Sequence, residues 1–459
     1  MIHNTYLMAM SQEFEMEQSM STVAHSHLPP ARRVAAASMI GTTIEWYDYY
    51  IFGTAAVLVL NDQFFPALSP AAGTLAALAT FAVAFIARPF GGIIFGHFGD
   101  KVSRKTILVW SLMLMGMSTF IVGFLPNYDA IGIWAPILLV LLRFLQGLAV
   151  GGEWGGAVLM ALEHAPEKKK AFYASWTQSG VPAALVLSST IFLLMQQMDE
   201  ASFHAWGWRV PFWISALLIV VGLFIRLRIT ESPEFLKMKS EKREVRVPLF
   251  ELIRTAWWPL ILGTLTLASP NIIFYISSVY LLSYGPTHVG LNRDSVFMAL
   301  IIAAFIQVFT IPMVAMLADR LGKKKIMLAG AAMVALLIYP VFWLVNTGQL
   351  MAALGAMIIA LPITHATAYA VVASFIPELF QPEVRFTGSS LAYQIGGIIT
   401  SAPAPFIAEY LMQSTGSSMA VATYIAVAAA VGFTAIALSR PAKKRIDRPE
   451  ARASSSVTP

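Results

Sequence analysis

Five ionisable side chains lie inside long apolar runs of this 459-residue chain: Glu45, Asp48, Arg88, Arg143 and Glu153. A charge at the centre of a bilayer costs at least about 2.5–3.5 kcal/mol on insertion scales, so these groups should face the protein interior and pair. Three acids against two arginines leave one carboxylate over. Burial without a cation favours its neutral form, which makes it the candidate site for a carried proton. Depth follows from a helical rise of about 1.5 Å per residue. Counting from Arg33, Glu45 lies roughly 18 Å and Asp48 roughly 22 Å from the end of the run. Counting back from Asp100, Arg88 is about 18 Å deep; counting back from Glu163, Arg143 is about 30 Å and Glu153 about 15 Å deep. Glu45 therefore matches Arg88, and Arg143 reaches toward Asp48. Glu45 and Asp48 are three residues apart and share a helix face with Tyr49 and Phe52, which should line a cavity. An anion competing for Arg143 or Arg88 would change the carboxylate's proton affinity and so couple two cargoes. The competing reading is a set of fixed salt bridges that only hold helices together, and for Glu153, set among glycines, that reading is favoured.

The second half offers no charge at this depth. It offers Asn271, Tyr275, Gln307, His365, Tyr369 and Gln394, which with Tyr49 and Arg143 are candidate substrate contacts. His365 is of the type that titrates near neutrality, although a lone intramembrane histidine is more often hydrogen-bonded and silent. Trp46, Tyr47 and Tyr50 are expected to pack. No nucleophile constellation, phosphate loop or metal-ligand spacing occurs at membrane depth, so neither an enzyme nor a cofactor or metal is expected.

The elements that must hold these residues are membrane helices. The chain is 57% hydrophobic and 12% charged, about half the charge of a soluble domain. It lacks Cys, which excludes disulfides and thiolate metal sites. A span needs about 20 apolar residues. Twelve runs qualify, at 34–60, 71–98, 106–125, 131–162, 171–196, 207–228, 256–284, 294–317, 326–346, 349–375, 385–411 and 419–439. Of the 31 Lys and Arg, 27 fall in loops on one side, which predicts a cytoplasmic location for both termini. This topology explains the +6 net charge without a nucleic-acid partner. The eight basic residues from Arg226 to Arg254 bracket the longest loop. The expected organisation is a disordered cytoplasmic tail (1–31), a six-helix bundle (32–228), an inter-bundle loop (229–255), a second six-helix bundle (256–439) and a C-terminal tail (440–459). The first tail has no basic residue before Arg32 and no signal-peptide pattern.

A charged turn occurs twice, 219 residues apart: Gly96 to Lys105, containing Asp100 and Arg104, and Ala315 to Lys324, containing Asp319 and Arg320. A second echo aligns Pro166, Glu167, Gln178 and Gly180 with Pro382, Glu383, Gln394 and Gly396. Such duplication suggests a transporter of two homologous halves. A carboxylate is favoured at a helix N-terminus. Asp100 is therefore expected to cap span 11 and Asp319 span 5, with Arg104, Glu163, Arg320, Glu378 and Arg385 completing a gate. Gly147, Gly151 and Gly155, with Gly152 and Gly156, should bring span 4 against span 2 at Gly92 and Gly96.

Twelve spans with this turn after spans 2 and 8 resemble the major facilitator superfamily. Glu45-Trp46-Tyr47-Asp48-Tyr49-Tyr50, Ala87-Arg88-Pro89-Phe90-Gly91-Gly92, Arg143-Phe144-Leu145-Gln146-Gly147 running into Gly151-Gly152-Glu153-Trp154-Gly155-Gly156, and Glu231-Ser232-Pro233-Glu234-Phe235 look like its metabolite–proton symporter family, shikimate-type members above all. The first turn departs from the family pattern in having Ser103 for Gly, the second in having Ala315. The resemblance implies an all-α membrane fold of two pseudo-symmetric six-helix bundles. It also implies proton-coupled uptake of a small organic acid, shikimate-like or a dicarboxylate, by alternating access in a bacterial inner membrane. It points to Asp48 as the proton site, by likeness to sugar symporters with an acid opposite the span 4 arginine. The alternatives are an exporter or facilitator, or a carrier of a zwitterion such as proline or betaine. The expected partners are a small solute, protons and the lipid bilayer, with the chain acting as a monomer.

Overall fold

The computed structural model describes residues 31–68, 70–228, 231, 236, 240 and 248–442. The expectations for residues 1–30, for most of the inter-bundle loop and for residues 443–459 concern positions outside these. Helices occupy all twelve expected positions. The first bundle comprises span 1 (Ala31–Ala55), span 2 (Pro70–Lys101), span 3 (Arg104–Val122), span 4 (Trp134–Glu163), span 5 (Lys170–Met195) and span 6 (Val210–Leu227). The second begins with span 7 (Pro248–Leu265, resumed at Ala268–Tyr275), span 8 (Arg293–Leu321) and span 9 (Lys323–Asn346). It closes with span 10 (Leu350–Ile358, continued to Tyr369), span 11 (Arg385–Gly396, resumed at Ala404–Thr415) and span 12 (Ser418–Leu438). Among the described residues, ten helices are long and apolar enough to cross a membrane on their own composition. Span 1 carries Arg32, Arg33, Glu45 and Asp48, and span 2 has a shorter apolar core at Val83–Gly99. Glu45, Asp48 and Arg88 are tolerable within these spans because protein covers them, while the exposed Arg32 and Arg33 sit at the start of span 1.

The inter-bundle loop ends earlier than its charge pattern suggests. Helix begins at Pro248, eight residues before the expected start, and Ala256 breaks it with φ −136° and ψ 25°. Charged Glu251 and Arg254 mask this turn of helix from a hydropathy reading. Exposed Trp257 and Trp258 follow the kink, where aromatic side chains favour the membrane interface.

The two charged turns solve one backbone problem differently. Gly322 ends span 8 with φ +102°, a conformation that only glycine adopts without strain. Ser103, its counterpart, is extended at φ −175°, and its hydroxyl accepts the Thr106 N–H at 3.0 Å to cap span 3. The duplication extends to packing. A Cβ on Gly180 would meet the Met39 carbonyl of span 1 at 2.7 Å, and one on Gly396 would meet Leu267 of span 7 at 2.6 Å.

Span 4 does press on span 2. A Cβ on Gly147 would stand 2.2 Å from the Ala84 carbonyl, and one on Gly151 2.0 Å from the Arg88 carbonyl. The tightest reciprocal position is Gly91, where a Cβ would stand 1.9 Å from the Leu148 carbonyl; the expected Gly92 also meets span 4, its amide nitrogen 2.6 Å from a Cβ on Gly151, whereas Gly96 does not. Gly96 instead faces Thr387 and Gly155 faces Ser390, both on span 11. Spacing of four marks a face but cannot name the neighbour on it. Gly151→Val is expected to cost at least about 1–3 kcal/mol, because the obstruction is backbone that cannot move aside. Gly355→Ala, where nothing lies within 4 Å, should change stability by less than about 0.5 kcal/mol. Thermal melting of the purified protein in detergent compares the two.

The halves meet near the middle of the bundle. Trp154 of span 4 stacks on Tyr393 of span 11 with ring centroids 3.9 Å apart and planes at 8°. Gln394 donates to the carbonyls of Val150 (3.3 Å) and Gly151 (3.4 Å).

Candidate functional site

All five sequence-marked charges are buried, together with a sixth that sequence reasoning placed in the loop: Arg226, near the end of span 6. Arg226 pairs with Glu153 and donates to the Leu108 carbonyl. Its guanidinium fills the space beside Gly41, where a Cβ would be 2.5 Å from it. Three buried acids therefore face three buried arginines, and the argument from an odd number of charges fails. Position close to a basic loop hid Arg226, because a hydropathy run has no sharp end. Glu153 is thus the one of the three acids with an ion pair among the described residues.

The two remaining pairings also differ from expectation. Asp48 makes no ion pair among the described residues. Thr119 of span 3 donates to its Oδ2 at 2.7 Å, and Ser215 of span 6 donates to its Oδ1 at 2.9 Å. Arg143 lies over the Phe52 ring at 3.8 Å and donates to Gln146 Oε1 at 2.7 Å. Gln146 Nε2 in turn donates to Thr119 Oγ1 at 2.6 Å. A hydrogen-bonded bridge thus replaces the direct Asp48–Arg143 contact. Glu45 likewise forms no ion pair with Arg88, and its Oε2 has no hydrogen-bond partner among the described residues. The two face one another across a cavity of about 260 Å³ that Asp48, Arg143 and Gln146 also line. Depth along the axis was enough to predict this company; the lateral gap depends on how far apart spans 1 and 2 stand.

A larger cavity, of about 410 Å³, lies between the halves. Of the six second-half candidates, Asn271, Tyr275, His365, Tyr369 and Gln394 line it. Gln307 does not. It stands behind His365, 2.5 Å from Nδ1, and also donates to the Leu361 carbonyl at 3.2 Å. Tyr49 bridges the halves by an O···O contact of 3.4 Å with Tyr275. Four aromatic wall residues were missed: Trp46, Phe85, Phe274 and Tyr393. Nothing in an aromatic-rich span distinguishes a wall ring from a packing ring. Arg88 is the one formally charged group on this wall among the described residues, and it lines the first-half cavity as well. Its guanidinium carbon sits 4.3 Å from the Phe85 ring centre and 5.3 Å from that of Tyr49.

At the end of the bundle bearing the repeated turns, Asp319 accepts the N–H groups of Ala171 and Phe172, each at 2.9 Å. It thereby satisfies orphan donors at the start of span 5. The symmetric cap cannot be read, because the side chains of Asp100 and Arg104 lie outside those described. Gly99 nevertheless packs on Phe386 at the head of span 11. Glu378 pairs with Lys323, while Arg320 is exposed and contacts no described partner. The ion pair at this turn is thus made by Lys323, the residue after Gly322, and not by the expected Arg320. Arg385 donates to the Phe380 carbonyl at 3.3 Å, and Glu163 is half-buried at the end of span 4.

A family model described as the Major Facilitator Superfamily matches residues 38–402. The chain belongs to the major facilitator superfamily. Over 433 residues it is 40% identical to the inner membrane metabolite transport protein YhjE of Escherichia coli K12, covering 92% of this chain and 98% of that one. It is 38% identical to the E. coli shikimate transporter (87% and 92% covered) and 33% identical to the E. coli proline/betaine transporter (88% and 82% covered). The proton:xylose symporter XylE bound to 6-bromo-6-deoxy-D-glucose has the same fold, with a TM-score of 0.73 at 16% identity over 89% of this chain and 94% of that one. This superfamily member is therefore a multi-pass membrane protein and a secondary transporter of metabolites, not an enzyme.

Proposed function

We propose that the protein is a proton-coupled symporter that takes up a small cyclic organic acid with one carboxylate. The observation that carries this reading is the position of Arg88 on the walls of both cavities. A substrate carboxylate bound in the central cavity draws on the same guanidinium that faces Glu45 and Asp48. Substrate and proton then compete for, or share, one positive charge, which is a coupling free energy between two sites. One cation favours one carboxylate. The rings of Trp46, Phe85, Phe274 and Tyr393 favour a cyclic body, and Asn271, Tyr275 and Gln394 offer partners to its hydroxyls. Asp48 holds the transported proton, supported by its burial and by the absence, among the described residues, of a cation bonded to it.

Transport proceeds by rocking of the halves 32–228 and 256–439 about the central cavity, and release of Asp319 from span 5 opens the end that carries the turns. The basic loops support cytoplasmic termini, and the likeness to the inner membrane metabolite transport protein YhjE supports a bacterial inner membrane. The chain works as a monomer on this reading. The test is uptake into proteoliposomes under an imposed pH gradient, comparing shikimate, aromatic acids, dicarboxylates and betaine. Accumulation of a cyclic monocarboxylate with alkalinisation of the outer medium is expected. Accumulation that survives an uncoupler refutes symport; preference for betaine refutes the substrate class, since aromatic walls also hold quaternary ammonium groups.

A further inference from the structure

Thr119 Oγ1 has three polar neighbours. It lies 2.7 Å from Asp48 Oδ2, 2.6 Å from the Gln146 amide nitrogen and 3.1 Å from the Met115 carbonyl oxygen. A hydroxyl has one hydrogen to donate and two lone pairs with which to accept. The Gln146 N–H occupies one lone pair. The single hydroxyl hydrogen therefore chooses between Asp48 and Met115. We propose that the Thr119 hydroxyl is a two-position rotor that passes the protonation state of Asp48, through Gln146, to Arg143.

With Asp48 ionised, every bond in the chain points one way: Arg143 donates to Gln146, Gln146 to Thr119, and Thr119 to the carboxylate. Such aligned bonds polarise one another, so the positive charge of Arg143 is answered by the negative charge of Asp48 through two neutral side chains. When a proton arrives on Oδ2, the new O–H donates to Thr119 Oγ1. The threonine hydrogen turns to the Met115 carbonyl, and Oγ1 then accepts from both Asp48 and Gln146. No group loses a partner, yet the chain no longer ends on an anion. The charge of Arg143 is then no longer answered through this chain, and a substrate anion in the cavity that Arg143 and Arg88 both line can answer it instead. The other oxygen is a worse site. Ser215 makes its one hydrogen bond to Oδ1 and no other among the described residues, so a proton there would strand its hydroxyl.

The charged and titratable groups around Asp48 are known from each side. Glu45 lies one turn away on span 1 and Arg88 on span 2. Arg143 and Glu153 lie on span 4, with Arg226 of span 6 paired to Glu153. Tyr47 donates to the Pro211 carbonyl, 2.9 Å away. Spans 3 and 6 present only the Thr119 and Ser215 hydroxyls to the carboxylate.

This inference rests on Asp48 as the proton site, and the experiment separates the two ideas. Proteoliposome uptake of the best substrate is measured against pH for the parent, Thr119→Val, Thr119→Ser and Asp48→Asn. Thr119→Val removes a donor to the ionised carboxylate and should move the pH of half-maximal uptake upward by about one to two units. Thr119→Ser keeps the hydroxyl and should return that midpoint to the parent's. If Asp48→Asn loses uphill accumulation while the Thr119→Val profile overlays the parent, the rotor is wrong and the proton site stands. If Asp48→Asn still accumulates substrate, the proton site itself is wrong. Should Thr119→Val fail to fold, Gln146→Leu breaks the same chain one link on, and a parental pH dependence of KM there also overturns the rotor.

Discussion

Asp48→Asn is expected to abolish gradient-driven accumulation while leaving substrate exchange across the membrane intact. Asparagine keeps the shape, and its carbonyl oxygen still accepts from one of the two hydroxyls that hold Asp48, Thr119 and Ser215. It cannot take up or release a proton. On the proposed mechanism the variant resembles the proton-loaded state at every pH, so exchange persists and loses its pH dependence. Uphill transport needs a carboxylate that takes up a proton on one side, releases it on the other and returns ionised, which an amide cannot do. A concentration ratio of one at equilibrium, measured by radiolabelled counterflow beside net uptake, is the expected reading. Retained accumulation would mean that another group carries the proton, with Glu45 the next candidate because its Oε2 is buried without a hydrogen-bond partner.

Arg88→Gln should raise the substrate KM by on the order of a hundredfold, because a charge-assisted bidentate contact to a carboxylate is lost. The effect differs in kind from that of Asp48→Asn. Exchange and net uptake should fall together, since binding is lost in both. Arg88→Lys should rescue poorly. The guanidinium carbon sits over the Phe85 and Tyr49 rings, 4.3 and 5.3 Å from their centres, and a lysine ammonium supplies neither the planar fork nor the ring contact. A substrate without a carboxylate would be affected much less, so the ratio of KM changes across the substrate panel also reports whether the natural cargo presents one. An unchanged KM for a monocarboxylate in Arg88→Gln would remove Arg88 from the binding site.

Both expectations depend on a site whose members were largely visible before any coordinates. Membrane insertion makes every buried charge costly, so Glu45, Asp48, Arg88, Arg143 and Glu153 could be named from their surroundings alone. Five second-half cavity residues were visible for a related reason, as amide, imidazole or phenol groups in runs that carry no charge at that depth. Thr119, Gln146 and Ser215 were not given roles. Hydroxyl-bearing residues are common in membrane helices and can bond their own backbone, as Thr119 also does to Met115, so their presence carries no signal. Arg226 escaped because its neighbours in sequence belong to a loop, while its neighbours in space are Glu153 and the Leu108 carbonyl.

Hydropathy, the bias of basic residues and an internal echo were together sufficient for twelve spans, two related halves and a multi-pass transporter, because the bilayer penalises each polar residue separately and along one axis. The cap that Asp319 makes on span 5 was legible too, since a helix N-terminus attracts an acid wherever symmetry brings one. Which acid meets which base is a property of lateral geometry. Three helices must approach to set Thr119 and Gln146 between Asp48 and Arg143, and glycine contacts as close as that of Gly151 with the Arg88 carbonyl decide how far Arg88 stands from Glu45. A linear sequence records depth in the membrane; only packing records direction around each helix, and the chemistry of this carrier is set by direction.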